Sequence, residues 1–210
     1  MPHTHALYLF FIASLLLNLT PGNDMMYVAS RSLSQGGRAG MISALGVFVG
    51  CFVHILAAAV GLSIVVARSA TLFGLIKFAG AGYLIFLGLS SILKKSRRDG
   101  DLETLPPVPG WSLFGQGVIT NALNPKVAIF FLSFLPQFVD ATSPHLRVQF
   151  LLLGLWFAVQ SSVILLGVAF LCGRTSRFLK GRAGFRRMQE KVTGFILVGL
   201  GLRLAFADRK

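Results

Sequence analysis

Acidic residues are nearly absent from this chain: seven Asp and Glu stand against twenty Lys and Arg in 210 residues. Charged residues of both signs make up only 13% of the sequence, about half of the roughly 25% typical of soluble domains. Too few remain to coat a water-facing surface. Cysteine is equally scarce. Cys51 and Cys172 form no CxxC, which excludes a disulfide framework and the usual structural zinc spacings. The sequence has no GxxxxGK[ST] and no GxGxxG between a strand and a helix, so nucleotide binding and a built-in ATP cycle are excluded. His3 and His5 form an H-x-H, but two ligands do not make a metal site. No metal and no cofactor is expected. The N-terminus carries no Lys or Arg before its apolar stretch and no small-residue cleavage pattern after it. It is therefore expected to be a retained span and not a cleaved signal peptide.

What the chain has instead is long uncharged runs. Hydrophobic residues reach 54%, with mean hydropathy +0.73. No Asp, Glu, Lys or Arg occurs between Arg38 and Arg68, or between Arg147 and Arg174. A bilayer core needs about 20 apolar residues as helix. Neither run shows the period-2 alternation of a membrane barrel. The expected fold is an all-α integral membrane protein with six transmembrane helices, over residues 6–30, 40–66, 70–93, 112–138, 147–172 and 190–207. Arg203 makes the sixth span the shortest uncharged run and has to snorkel to an interface.

The net charge of +13 does not point to nucleic acid. The basic residues sit in short loops between apolar spans, with no polybasic groove interleaved with aromatics. Thirteen of the twenty fall after spans one, three and five: Arg31 and Arg38, then Lys94 to Arg98, then Arg174 to Lys191. The loops after spans two and four hold only Arg68, with Lys77 nearby, and Arg147. The positive-inside rule then puts loops one, three and five in the cytoplasm and both termini outside.

Residues 94–111, KKSRRDGDLETLPPVPGW, read as a cytoplasmic linker, charged and then proline-rich. It divides the chain into 1–93 and 112–210, with three spans in each part. An odd number of spans forces the halves into opposite orientations, the architecture of inverted-repeat transporters. The halves share an interruption. Span one carries Asn18, then Thr20-Pro21-Gly22; span four carries Asn121, then Asn124-Pro125. Proline removes a backbone donor and disfavours helix at the residue before it. Corresponding breaks in two halves point to a transport site, so helices 1 and 4 are expected to be broken.

Beside each break stands a lone charge, Asp24 in the first half and Lys126 in the second. A charge at mid-membrane is costly and is a functional candidate by default. The two are expected to share one polar site, with an ion pair and a purely structural role for Lys126 both left open. An acid away from water holds a proton more readily unless a cation or hydrogen bonds offset this. Asp24 is thus the candidate coupling group, with protons as the coupling ion. Broken-helix ends supply donors for a carboxylate and acceptors for an ammonium, and Asn18, Asn121 and Asn124 add neutral ones. His54, mid-span in helix two, fits either a proton relay or a neutral interhelical hydrogen bond. Gly46 and Gly50 form GxxxG, and Gly80, Gly82 and Gly88 line span three, as packing positions where helices approach closely.

Several segments together resemble the LysE/RhtB superfamily of amino-acid exporters: LTPGND at 19–24, SQGGRAG at 34–40, GAGYLIFLG at 80–88 and NALNPKVAIFFLSFLPQF at 121–138. The family more usually has a second proline where Asn23 stands. The resemblance implies export of amino acids or close derivatives across a bacterial inner membrane, driven by the proton gradient. It does not name the amino acid or the oligomeric state, and homo-oligomers remain open. Two other classes fit parts of the sequence. A membrane thiol relay would use Cys51 and Cys172, which fall in spans two and five. A passive channel would need no coupling acid. The topology is testable: alkaline phosphatase fused after Lys210 is expected to be active, and an inactive, stably inserted fusion would reverse the orientation.

Overall fold

The computed structural model describes residues 4–93 and 106–174, together with Lys191, Gly194, Phe195, Val198, Gly199, Gly201, Leu202, Ala205 and Phe206. Every regular element among them is helical. The basic clusters at 94–98 and 177–187, most of the expected linker, His3 and Arg203 lie outside the described residues.

Helix α1 (Thr4–Leu19) is apolar and uncharged. It stops where Pro21 withholds its N–H and biases Thr20 away from helix. The chain crosses Gly22 in an extended conformation and enters α2 (Asn23–Gln35), which is far more polar than α1. Gly36, at φ +87°, ends α2 in the left-handed region that only glycine enters cheaply. α3 (Gly37–Ala57) starts immediately and runs through a π turn (Ala58–Leu62) into α4 (Ser63–Arg68). α5 is Ala70–Leu93, α6 Gly110–Ala122 and α7 Pro125–Ile129. α7 continues as a π turn (Phe130–Phe134) and a 3₁₀ turn (Leu135–Phe138), and α8 (Leu146–Arg174) closes the described bundle.

Three helical stretches are long and apolar enough to cross a membrane: Gly37–Val65, Thr71–Ser90 and Leu146–Arg174. A fourth appears if α6 and the stretch Pro125–Phe138, bent by 42° at Leu123–Asn124, count as one span. These match the expected spans two, three, five and four. The expected first span divides into a short apolar helix and a polar one. The described residues of the sixth are helical, and its Gly194 and Gly201 face Gly88, Ile92 and Ile85 of α5. The outer surface is apolar: Leu75, Phe78, Phe86, Leu123 and Val163 are all more than half exposed. Burying such a surface in lipid removes it from water.

α3 is the centre of the bundle and packs most extensively on α6 and α8. Its Gly46 and Gly50 lie directly on Phe114, Gly117 and Val118 of α6. A Cβ on Gly50 would stand 2.5 Å from the Val118 carbonyl and 2.9 Å from Asn121 Cβ. The GxxxG reading of the sequence therefore holds, and it applies to one particular neighbour. Gly82 is different: a Cβ there would meet nothing within 4 Å. The remaining core is aromatic. Phe10 of α1, Phe157 of α8, and Phe130, Phe134 and Phe138 form a continuous cluster, with ring centroids 4.8 Å apart for Phe130–Phe157 and 5.4 Å for Phe10–Phe138. Gly50→Ala is expected to lower the thermal midpoint in detergent, since overpacking costs roughly 1–3 kcal/mol of stability. Gly82→Ala is expected to leave it unchanged or raise it, since alanine is the better helix former.

Candidate functional site

The two helix breaks meet, and each is completed by the other. Asp24 stands in the first turn of α2, at the helix pole that favours an anion. Its Oδ2 accepts hydrogen bonds from Asn121 Nδ2 at 2.8 Å and Asn124 Nδ2 at 2.9 Å. Both asparagines flank the second break, and both are 2% exposed. Lys126 stands in the first turn of α7, the pole that disfavours a cation. It reaches back across the site, where its Nζ donates to the carbonyls of Leu17 at 3.1 Å and Thr20 at 2.9 Å. Those carbonyls form the C-terminal end of α1, where a cation is favoured. The acid of the first break is thus held by side chains of the second, and the lysine of the second by the backbone of the first.

Local sequence explains the arrangement. Asn124 caps α7: its Oδ1 accepts from the Lys126 N–H at 3.0 Å, with Pro125 at the first helical position. Its Nδ2 is the group that holds Asp24. Gly22 makes room, since a Cβ there would lie 3.0 Å from Lys126 Nζ. Its role is close approach; its backbone is extended. Thr20 is buried, and its hydroxyl donates to the Leu16 carbonyl at 2.7 Å. His54, on α3, places Nε2 at 2.9 Å from the Asn121 carbonyl. A carbonyl only accepts, so this nitrogen carries the proton. His54 therefore ties α3 to the second break beside Asp24.

Most of the residues expected at the site come together: Asp24, Lys126, Thr20, Pro21, Gly22, Asn121, Asn124, Pro125 and His54. Asn18 does not join the Asp24 cluster. Its Nδ2 donates to Gln160 Oε1 at 3.2 Å and anchors α1 on α8. Among the described residues no hydrogen bond joins Asp24 to Lys126: each makes its hydrogen bonds with neutral groups of the opposite break, while the two charges attract each other through space. Asp24 Oδ1 and Asn121 Oδ1 are buried with no hydrogen-bond partner. Both are acceptors, so the arrangement can receive a donor-bearing group.

Sequence reasoning missed a second polar cluster on α2. Arg31, counted above as a loop charge, is buried at 8% exposure. It follows Asp24 and Val28 at helical spacing, a signal that was available in the sequence. Cys51 is buried and Cys172 half-buried, both as free thiols. Removal of the lysine tests the crossed arrangement. Lys126→Met takes the lysine donor from the Thr20 carbonyl and leaves the Leu17 carbonyl with only the Thr20 N–H. It is expected to lower the unfolding midpoint in detergent, since an orphaned buried acceptor costs roughly 1–3 kcal/mol of stability. Pro125→Ala, which takes no hydrogen bond from the site, is expected to change it much less.

Comparison with known proteins gives this geometry a context. Residues 15–208 match the family model described as LysE type translocator. The chain is 32% identical over 203 residues to the homoserine/homoserine lactone efflux protein of Salmonella typhimurium, covering 95% of this chain and 96% of that one. It is 27% identical over 200 residues to the leucine efflux protein of the same organism, covering 93% and 92%. An uncharacterised membrane protein of Bacillus subtilis is 30% identical over 207 residues, covering 95% and 98%. No solved structure matches significantly. The thiol-relay reading falls with the matches to a translocator family and to two efflux proteins. The chain is a multi-pass membrane protein and belongs to the LysE type translocator family.

Proposed function

We propose that the chain is a secondary active exporter of amino acids or close derivatives, working by proton antiport across a bacterial inner membrane. The relatives named for leucine and for homoserine and its lactone support the substrate class. All three compounds carry a free amino group. The observation that carries the reading is the pair of unpartnered acceptors, Asp24 Oδ1 and Asn121 Oδ1, buried beside each other's side chains at the crossed breaks. A buried acceptor without a donor is costly, and a substrate ammonium supplies N–H groups to both. A proton on Asp24 offsets the same cost when the substrate has left. Substrate and proton then compete for one carboxylate, which is the elementary requirement of antiport.

In this reading residues 1–93 and 112–210 are two inverted three-helix halves joined by a cytoplasmic segment, with six spans and both termini outside. Rocking of the halves about the breaks exposes the Asp24 site to each side in turn. His54 and Lys126 hold the two breaks in register, and Asn18 with Gln160 keeps α1 on α8.

Inverted membrane vesicles test it. With labelled leucine or homoserine, an acid-inside pH gradient is expected to drive saturable accumulation, which collapses when a protonophore is added. Asp24→Asn is expected to lose at least tenfold of the gradient-driven accumulation while remaining folded. Undiminished accumulation in Asp24→Asn would remove the acid from coupling. Non-saturating flux would point to a channel, and the absence of uptake across a panel of amino acids would sink the export reading.

A further inference from the structure

The second polar cluster on α2 has no part in the arrangement at the breaks. Arg31 lies seven residues beyond Asp24, about 10 Å along the helix, and its guanidinium is buried between α2, α6 and residues 106–108. Nη2 donates to Gln116 Oε1 at 2.8 Å, and Nη1 reaches the Pro106 carbonyl at 3.4 Å. Gln116 is oriented for this, because its own Nε2 donates to Ser112 Oγ at 3.0 Å and leaves the oxygen facing Arg31. Tyr27, one turn before Arg31, donates its hydroxyl to the Leu113 carbonyl at 2.6 Å, and its ring stands 6.0 Å from the guanidinium carbon. One turn further on, Gln35 Oε1 accepts from the Val108 N–H at 3.0 Å.

Two features set this cluster apart from an ordinary helix tether. First, among the described residues its cation has only neutral partners. The carboxylates among the described residues are Asp24 and Asp140; Asp24 is held by the two asparagines and Asp140 by Thr142. A buried arginine without an anion is an unfavourable arrangement, and its usual complement is a carboxylate or phosphate. Second, both unanswered groups are donors: Arg31 Nε and Gln35 Nε2 are buried without partners. They sit one helical turn apart on the same face and are tied to the same 106–108 segment. At the breaks the unanswered groups are acceptors; here they are donors.

We propose that Arg31 and Gln35 form a carboxylate-binding site at the loop end of α2, separate from Asp24 and about two helical turns from it. The occupant is the α-carboxylate of an amino acid on its way to the breaks. In that part the inference rests on the export reading, whereas the anion site itself does not. With about 10 Å of helix between the two residues, the site acts in this proposal as a waiting station: the carboxylate is captured first and the ammonium later meets Asp24. Homoserine lactone, whose carboxyl group is closed into an ester, has no free carboxylate to offer Arg31.

Two measurements decide it. In the purified full-length protein, sodium acetate is expected to raise the thermal midpoint saturably relative to equal sodium chloride, with no such rise from acetamide. Arg31→Gln abolishes the acetate effect, and Arg31→Lys, which keeps the charge but loses the planar fork, weakens acetate affinity at least threefold. An acetate response equal to that of chloride, or variants that respond as the wild type, would overturn the site. The sequence-adjacent acids are the rival source of the same chemistry. If replacing Asp99, Asp101 and Glu103 by their amides strengthens acetate binding severalfold, the site belongs to the chain's own linker and the substrate assignment fails. In inverted vesicles, Arg31→Gln is expected to raise KM for homoserine at least tenfold while leaving KM for homoserine lactone unchanged. Equal loss for both would show a merely structural arginine. If the wild type carries neither compound, the export reading fails, and the acetate response still decides the anion site.

Discussion

Two helices stop inside the bundle, among buried residues, and the rest of the molecule depends on how those ends are satisfied. An unpaired backbone group in hydrocarbon costs several kcal/mol. The carbonyls that α1 exposes at Leu17 and Thr20 are taken by a lysine from the other break, and the acid at the start of α2 by two asparagines from the other break. Neither break is complete alone. This reciprocity explains why a lysine stands at the pole of α7 that disfavours it: its destination is the C-terminal pole of α1.

The seams of the bundle serve this meeting. Gly46 and Gly50 let α3 touch the backbone of α6, which brings His54 against the Asn121 carbonyl and sets Asn121 beside Asp24. α2 is polar because one of its faces never meets lipid. Asp24, Val28, Arg31 and Ser32 are all buried in protein, and that face carries the acid at one end and the arginine towards the other.

Much of this was legible in the sequence, for identifiable reasons. Uncharged runs longer than a bilayer's thickness have few other uses, so spans two and five could be read directly, whereas span three is interrupted by Lys77. Proline next to a lone charge marked both breaks, because each feature is costly in lipid unless something compensates it. The partners of those charges were not legible. Opposite charges beside the two breaks suggested a shared site, but a helix end is also a charged partner, and only the three-dimensional meeting of α1 with α7 reveals it. Arg31 was misread for a related reason. Counting basic residues by loop treats every arginine as a topological marker, and this one lies inside the protein on a helix that extends beyond the expected span. Asn18 looked like a site residue by its closeness to Pro21, yet helical periodicity turns it towards α8 and Gln160.

Asn124 gives the site a further property. One amide group caps α7 through its oxygen and holds Asp24 through its nitrogen. The two ends of an amide cannot be reassigned independently. Any event that loosens its nitrogen from Asp24 also changes what its oxygen contributes to the first turn of α7. Thermodynamic linkage makes the influence mutual: the free energy by which occupancy of Asp24 biases the start of α7 equals that by which a shift of α7 biases occupancy of Asp24. A single planar side chain thereby couples the first turn of α2 to the first turn of α7.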